Sequence, residues 1–212
     1  MVYPETNNDF SCWDVASPAS LTRDGGGDTT GLLSMLNYTL ATYNADASRL
    51  FVTGSSSGCM MTNVLIGLYP DVFAAASCYS GVAAGCLAGS PGSSPITADP
   101  ACAAGEIDKS GEQWAEIVRE MYPGYDGQRP RFMTLHGTAD SVVDFRNLGE
   151  QVEQWTTVLG VEETAREVDT PERRYTKIVF GDGTRFVAYE AEGVGHTVPV
   201  HEELDLEWFG LI

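Results

Sequence analysis

RLFVTGSSSGCMM, Arg49 to Met61, is the stretch on which the reading of this chain turns. Leu50, Phe51, Val52 and Thr53 form an apolar, β-branched run of the kind that makes a buried strand, and a helical pattern begins at Cys59. Between them Gly54-Ser55-Ser56-Ser57-Gly58 is a G-x-S-x-G turn from strand to helix, the setting of a nucleophile elbow. Of the three consecutive serines, only Ser56 has glycine both two residues before and two after. The turn forces that serine into strained dihedrals, and side chains at Gly54 or Gly58 are expected to collide with the neighbouring strand and helix. Ser56 Oγ is then expected at the carboxyl edge of a sheet, above the amino end of the following helix.

A serine hydroxyl is a weak nucleophile until a base takes its proton, and that base needs an acid to fix its tautomer. The chain has three histidines. His136 ends a strand pattern, which suits a residue orienting backbone at the sheet edge, and His201 lies in the acidic segment VHEELD, which reads as solvated. His196 follows a strand through a Gly-x-Gly-His turn, which brings its imidazole to the same edge as Ser56, so His196 is the expected base. Among the acids, Asp140 comes shortly after the strand Arg131 to His136, again at the carboxyl edge where α/β sites assemble. Asp144 is its rival and otherwise reads as a cap for the next helix. The order Ser56, Asp140, His196 is that of α/β-hydrolases, and the backbone N–H of Ser57, the residue after the nucleophile, is the expected oxyanion donor.

The rest of the chain agrees with that order. Met1 to Pro4 resembles the end of a strand, and residues 5 to 27 are loop-like, with Trp13 either lidding the core or standing beside a substrate cleft. Asp28-Thr29-Thr30 can cap a helix to about Tyr43, where Leu32, Leu33, Leu36 and Leu40 recur at helical spacing. After the elbow helix, stopped by Pro70, come a strand at Phe73 to Tyr79, a long loop over 82 to 109 that Cys86 and Cys102 could tie, and a helix at Gln113 to Met121. A helix from about Phe145 to Leu159 then leads through a polar stretch to a hairpin of Tyr175 to Phe180 and Arg185 to Glu190, and a short helix closes the chain. Strands and helices in alternation with short Gly-bearing turns predict a three-layer α/β sandwich, a single α/β-hydrolase domain over residues 1–212.

Composition narrows the partners. Twelve basic against 30 acidic residues give a net charge of −18, a field that repels phosphate backbones and anionic membranes, so neither nucleic acid nor membrane is expected. No apolar run is long enough to span a bilayer. The five cysteines, Cys12, Cys59, Cys78, Cys86 and Cys102, lack zinc-ligand spacing, so no metal is expected. With the sequon Asn37-Tyr38-Thr39, a candidate glycosylation site at Asn37, they read better as disulfides in an oxidising compartment. MVYPETNNDF has neither the basic nor the apolar segment of a signal peptide.

VTGSSSGCMMTNV, together with CWDVASPASLTRDGGGD, HGTADSVV and GHTVPVHEELDLEWFGL, resembles fungal acetylxylan esterases of carbohydrate esterase family 1. That family also holds feruloyl esterases and is related to polyhydroxybutyrate depolymerases. The resemblance runs over essentially the whole chain. It implies a secreted α/β-hydrolase, expected to act as a monomer, that removes acetyl groups from the polysaccharide xylan without a cofactor, with Ser56, Asp140 and His196 matching the family triad. A feruloyl esterase with the same triad is the alternative, as is a catalytically impaired fragment that binds carbohydrate. Trp13 and the 82–109 loop are candidates for sugar contact, by position and because aromatic faces suit pyranose rings.

The chain departs from the family pattern in having no counterpart of the earlier strands and of the His-x-Cys-Thr-Gly type segment that supplies the second oxyanion donor. The expectation is therefore of an N-terminally truncated α/β-hydrolase with the second donor missing, an exposed sheet edge and a Cys12 whose partner lies in the missing segment.

Overall fold

Local patterns fix most elements, and the computed structural model, which describes residues 1–212, assembles them into one mixed sheet. Its strands are β1 (Phe51–Ser55), β2 (Ala75–Tyr79), β3 (Arg131–Gly137), β4 (Glu163–Val168), β5 (Tyr175–Phe180) and β6 (Phe186–Ala191), in the spatial order β1-β2-β3-β6-β5-β4. β1, β2, β3 and β6 run parallel, whereas β5 and β4 are added antiparallel. The helices are α1 (Asp28–Tyr43), α2 (Ser57–Leu68), α3 (Pro100–Ala103), α4 (Gly111–Met121), α5 (Arg146–Leu159) and α6 (Glu202–Trp208).

Alternation along the strands divides the interior in two. Ala76, Cys78, Phe132, Phe186 and Ala188 face a large core shared with α2, α4 and α5. Tyr79, Met133, Leu135, Val187 and Tyr189 face the other way, onto Leu204 and Trp208 of α6. The result is the expected three layers. α2 is buried at every position from Cys59 to Leu68, which is why its sequence is mostly apolar on all faces, with Thr62 and Asn63 the polar exceptions. α4 starts with a capping box between Ser110 and Gln113, and α5 stops at Gly160 in the left-handed conformation.

A polar network runs through this apolar core. Trp155 Nε1–H donates to Asn63 Oδ1 at 2.7 Å, Asn63 Nδ2–H donates to Gln151 Oε1 at 3.0 Å, and Gln151 Nε2–H donates to the Gly81 carbonyl at 3.1 Å. Gln154 Oε1 accepts from Ala84 N–H at 2.7 Å and its Nε2–H donates back to the Ala84 carbonyl at 3.0 Å. These glutamines pin the chain after β2 to α5. Losing one partner would orphan the next, at about 1–3 kcal/mol for each buried group. Two disulfides reinforce the same region: Cys59–Cys78 joins α2 to β2, and Cys86–Cys102 ties the 82–109 loop as expected. Cys12 is unpaired and half-buried.

The structure corrects four local readings. The polar stretch after α5 contains β4, whose six residues are all exposed at the sheet edge, so no buried face imposed an apolar alternation on ETAREV. Met1 to Pro4 is exposed and carries no strand pairing. The 82–109 loop includes the short helix α3, capped by Asp99. Gly27 holds the N-cap position of α1, and Asp28 instead accepts from Asn8 Nδ2–H and Asp14 N–H, both at 2.8 Å, tethering the N-terminal loop to the helix. β1 pairs with β2 alone, so the strand that carries the elbow is an edge strand.

Candidate active site

At the carboxyl end of β1 the backbone of Ser56 adopts φ 54° and ψ −119°. A residue with a Cβ pays about 1–3 kcal/mol to stay in such a region. The surroundings enforce it: Ser56 N–H donates to the Tyr79 carbonyl of β2 at 2.8 Å, and the Ser56 carbonyl accepts from Met60 N–H of α2 at 3.0 Å. The two flanking glycines have different reasons. A Cβ on Gly54 would overlap the Gly58 backbone, whereas a Cβ on Gly58 meets nothing within 4 Å. The expected collision therefore holds at Gly54 and fails at Gly58, because Gly58 is the surface that Gly54 touches and its own Cβ direction is open. Gly54→Ala is expected to destabilise by roughly 1–3 kcal/mol or more through overpacking against backbone. Gly58→Ala, at a helical position, should be neutral or stabilise by up to about 1 kcal/mol. Thermal melts of the two variants check this, and equal melting temperatures would contradict it.

The sheet then delivers two further side chains to Ser56. His196 lies in the loop after β6, with Nε2 2.8 Å from Ser56 Oγ and Nδ1 2.8 Å from Asp140 Oδ2. Asp140 lies in the loop after β3. The two loops are stitched together: Ala139 N–H donates to the Val194 carbonyl at 2.9 Å, and Gly193 N–H donates to Thr138 Oγ1 at 2.8 Å. A Cβ on Gly137 would strike the carbonyl oxygens of Val194 and Gly195, so the close approach of the loops needs glycine there.

Asp140 Oδ1 accepts from Val142 N–H and Val143 N–H, both at 2.9 Å, and Oδ2 faces His196 and, at 3.2 Å, His136 Nε2. Burial pushes its carboxyl up, but the hydrogen bonds from His136, His196 and the Val143 and Val142 amides prevail and hold it well below the usual carboxylate range. A depressed carboxyl adds stability above its unfolded pKa of about 3.9, and that stability is lost as the pH falls toward the folded value. Asp140 is thus ionised throughout the range near pH 6.5 in which imidazoles ordinarily titrate. With a carboxylate at Nδ1, the proton of His196 resides there, and the Nε2 lone pair is left to accept the Ser56 hydroxyl hydrogen.

Ser57 is the first residue of α2, so its N–H has no carbonyl four residues back and is free beside Ser56. Its hydroxyl accepts from Trp13 N–H at 2.7 Å, which docks the N-terminal loop on the elbow while the Trp13 side chain packs against the core. Asp144 lies apart from His196 and binds the Arg146 side chain and amide, both at 2.9 Å. His201, read as solvated, packs edge-on against Tyr175 with ring centroids 5.0 Å apart. Asn37 is exposed on α1, and Thr39 Oγ1–H donates to the Met35 carbonyl at 2.8 Å. His136 reaches the acid itself, a contact that sequence reasoning missed. The one available signal was the His-x-x-x-Asp spacing of HGTAD, and it does not reveal direction. No set of three His, Cys, Asp or Glu is arranged to hold a metal ion, and no helix is long and apolar enough to cross a membrane.

The model of the prolyl oligopeptidase family matches residues 20–167. Feruloyl esterase B of Talaromyces funiculosus is 47% identical over 211 residues, which are 100% of this chain and 60% of that protein. The chain thus spans less than two thirds of that relative. Feruloyl esterase B of Neurospora crassa is 48% identical over 212 residues, with 72% of it covered, and acetylxylan esterase A of Aspergillus awamori is 42% identical over 213 residues, with 69% covered. The structure of an acetyl xylan esterase from Aspergillus awamori matches 99% of this chain and 77% of its own, with a TM-score of 0.92 and 41% identity. Fold, family model and relatives agree: the chain belongs to the prolyl oligopeptidase family of α/β-hydrolases, in the branch that holds fungal feruloyl esterase B and acetylxylan esterase A.

Proposed function

We infer that this chain forms the serine carboxylic-ester hydrolase of an extracellular enzyme, working as a monomer on xylan and removing its acetyl groups. One observation supports this above all: Ser56, on a strained elbow, is 2.8 Å from His196, which is 2.8 Å from the buried Asp140. In this mechanism His196 Nε2 takes the Ser56 proton as Oγ bonds to the ester carbonyl carbon. The Ser57 N–H faces the developing oxyanion, and collapse breaks the bond to the sugar oxygen, which leaves with the proton from His196. Water, deprotonated by His196, then attacks the acyl-serine, releasing the acid and restoring Ser56 Oγ–H. Asp140 stabilises the imidazolium in both halves. Secretion is supported by two disulfides, which persist in oxidising compartments, and by an exposed Asn37 sequon. Feruloyl esters are the second reading, favoured by relatives at 47% and 48% identity that are named feruloyl esterase B.

The test is labelling with a fluorophosphonate, which reports an activated serine, beside hydrolysis of p-nitrophenyl acetate, acetylated xylan and methyl ferulate. Wild type is expected to be labelled and Ser56→Ala unlabelled, with acetate release exceeding ferulate release in kcat/KM. Labelling of Ser56→Ala equal to wild type would overturn the assignment of the nucleophile. Faster cleavage of methyl ferulate would replace acetyl by feruloyl.

A further inference from the structure

His136 is fully buried at the end of β3, and its Nε2 lies 2.9 Å from the Val143 carbonyl and 3.2 Å from Asp140 Oδ2. Both neighbours are acceptors, so Nε2 must carry a hydrogen. Nδ1 has no partner. A doubly protonated ring would bury an unpaired N–H donor there, so the neutral Nε2–H tautomer fits the site. Phe145 packs edge-on against the ring at 6.1 Å between centroids.

As core filler this residue is a poor choice. An apolar side chain would fill the space without leaving a buried ring nitrogen unpaired. What the imidazole adds is a donor at one point, hydrogen-bonded to the Val143 carbonyl of the loop that carries the acid and 3.2 Å from the carboxylate itself. Asp140 holds its own loop through the Val142 and Val143 amides, and His136 ties the carbonyl of Val143 and the carboxylate back to β3. Asp140 Oδ2 therefore lies between two imidazoles, His196 on the solvent side and His136 on the core side.

We propose that His136 is a positioning residue for the reaction centre: its Nε2–H, bonded to the Val143 carbonyl and 3.2 Å from Asp140 Oδ2, holds the Asp140 loop and its carboxylate in the orientation that receives His196 Nδ1–H. The proposal rests on the reading of Ser56, His196 and Asp140 given above. Besides Asp140, the ionisable groups near the His136 ring include Asp144 on the same loop and His196, which faces it across Asp140 Oδ2. His136 touches no substrate and acts only through the acid.

The test compares His136→Gln, whose Nε2 amide can reproduce the donor, with the nearly isosteric His136→Met, which has none. His136→Met is expected to lower kcat for p-nitrophenyl acetate about 10- to 100-fold with KM changed less than about twofold, as misplacement of a catalytic group does. His136→Gln should stay within about threefold of wild type. In proton NMR the low-field resonance of His196 Nδ1–H is expected in wild type and His136→Gln and lost in His136→Met. Wild-type values in a folded His136→Met, or a His136→Gln as impaired as His136→Met, would overturn the proposal. If neither variant folds, nitrogen-15 shifts of the wild-type rings decide it: His136 must show a protonated, slowly exchanging Nε2 and a bare Nδ1, and a bare Nε2 refutes it. Ser56→Ala, run in parallel, separates the two ideas, since retained activity there sinks the nucleophile assignment while the ring spectra still report on His136.

Discussion

His196→Ala is expected to lower kcat for p-nitrophenyl acetate by about 10⁶-fold, and Asp140→Ala by about 10⁴-fold, if the three side chains act as a unit. The inequality follows from the geometry. His196 is the only imidazole facing Ser56 Oγ, so its removal leaves the hydroxyl without a base. Removing Asp140 leaves a base whose ring is still near Ser56 but whose tautomer and orientation are no longer fixed. Combining the two substitutions should cost little more than His196→Ala alone, because a unit once broken cannot be broken again. Rates of the three variants relative to wild type check this. Multiplicative losses in the double variant would mean that the residues work independently.

Cys59→Ala with Cys78→Ala is expected to destabilise the fold by about 2–4 kcal/mol, a fall in melting temperature of roughly 5–15 °C at this chain length. Cys59 comes three residues after Ser56, and Cys78 lies next to Tyr79, whose carbonyl clamps the Ser56 amide. The bond closes the hairpin-like excursion from α2 to β2 and is fully buried. Calorimetry under non-reducing conditions measures the effect. Below the new melting temperature the variant should keep its kcat, since the Tyr79 and Met60 contacts still hold the elbow. An unchanged melting temperature would show that the cross-link constrains nothing that the rest of the fold does not already constrain.

How much of this was legible in the chain depended on range. The elbow, the alternation of strands and helices and the order of Ser56, Asp140 and His196 rest on local signals: a Gly-flanked serine, β-branched runs, and loops that follow strands. The Cys86–Cys102 tie was legible because a long loop inside a packed fold needs one. Cys59–Cys78 was not, since a helix followed by a strand gives no spacing rule for their approach. β4 escaped because an edge strand exposed on both faces has no apolar pattern to read. Gly58 was misjudged because the direction of a Cβ depends on the turn's actual dihedrals. His136 was placed at the correct edge, but its partner is set by the path of the loop after β3. The glutamines of α5 are the clearest case of tertiary override: polar residues on an amphipathic helix ordinarily face solvent, and here Gln151 and Gln154 are buried because the chain after β2 offers them backbone partners.

The parallel order of β1, β2, β3 and β6 also bears on folding. Ser56 and His196 are 140 residues apart in the chain, and His196 and Asp140 are 56 apart. Contacts of such separation form only once the entropy of closing long loops has been met, which here means that β1, β2, β3 and β6 are all paired. Helices and local turns need only contacts that are close in the chain. The proposed hydrolysis would therefore count the molecules in which the whole parallel core is in register, whereas helical content would also count those that have only part of the fold.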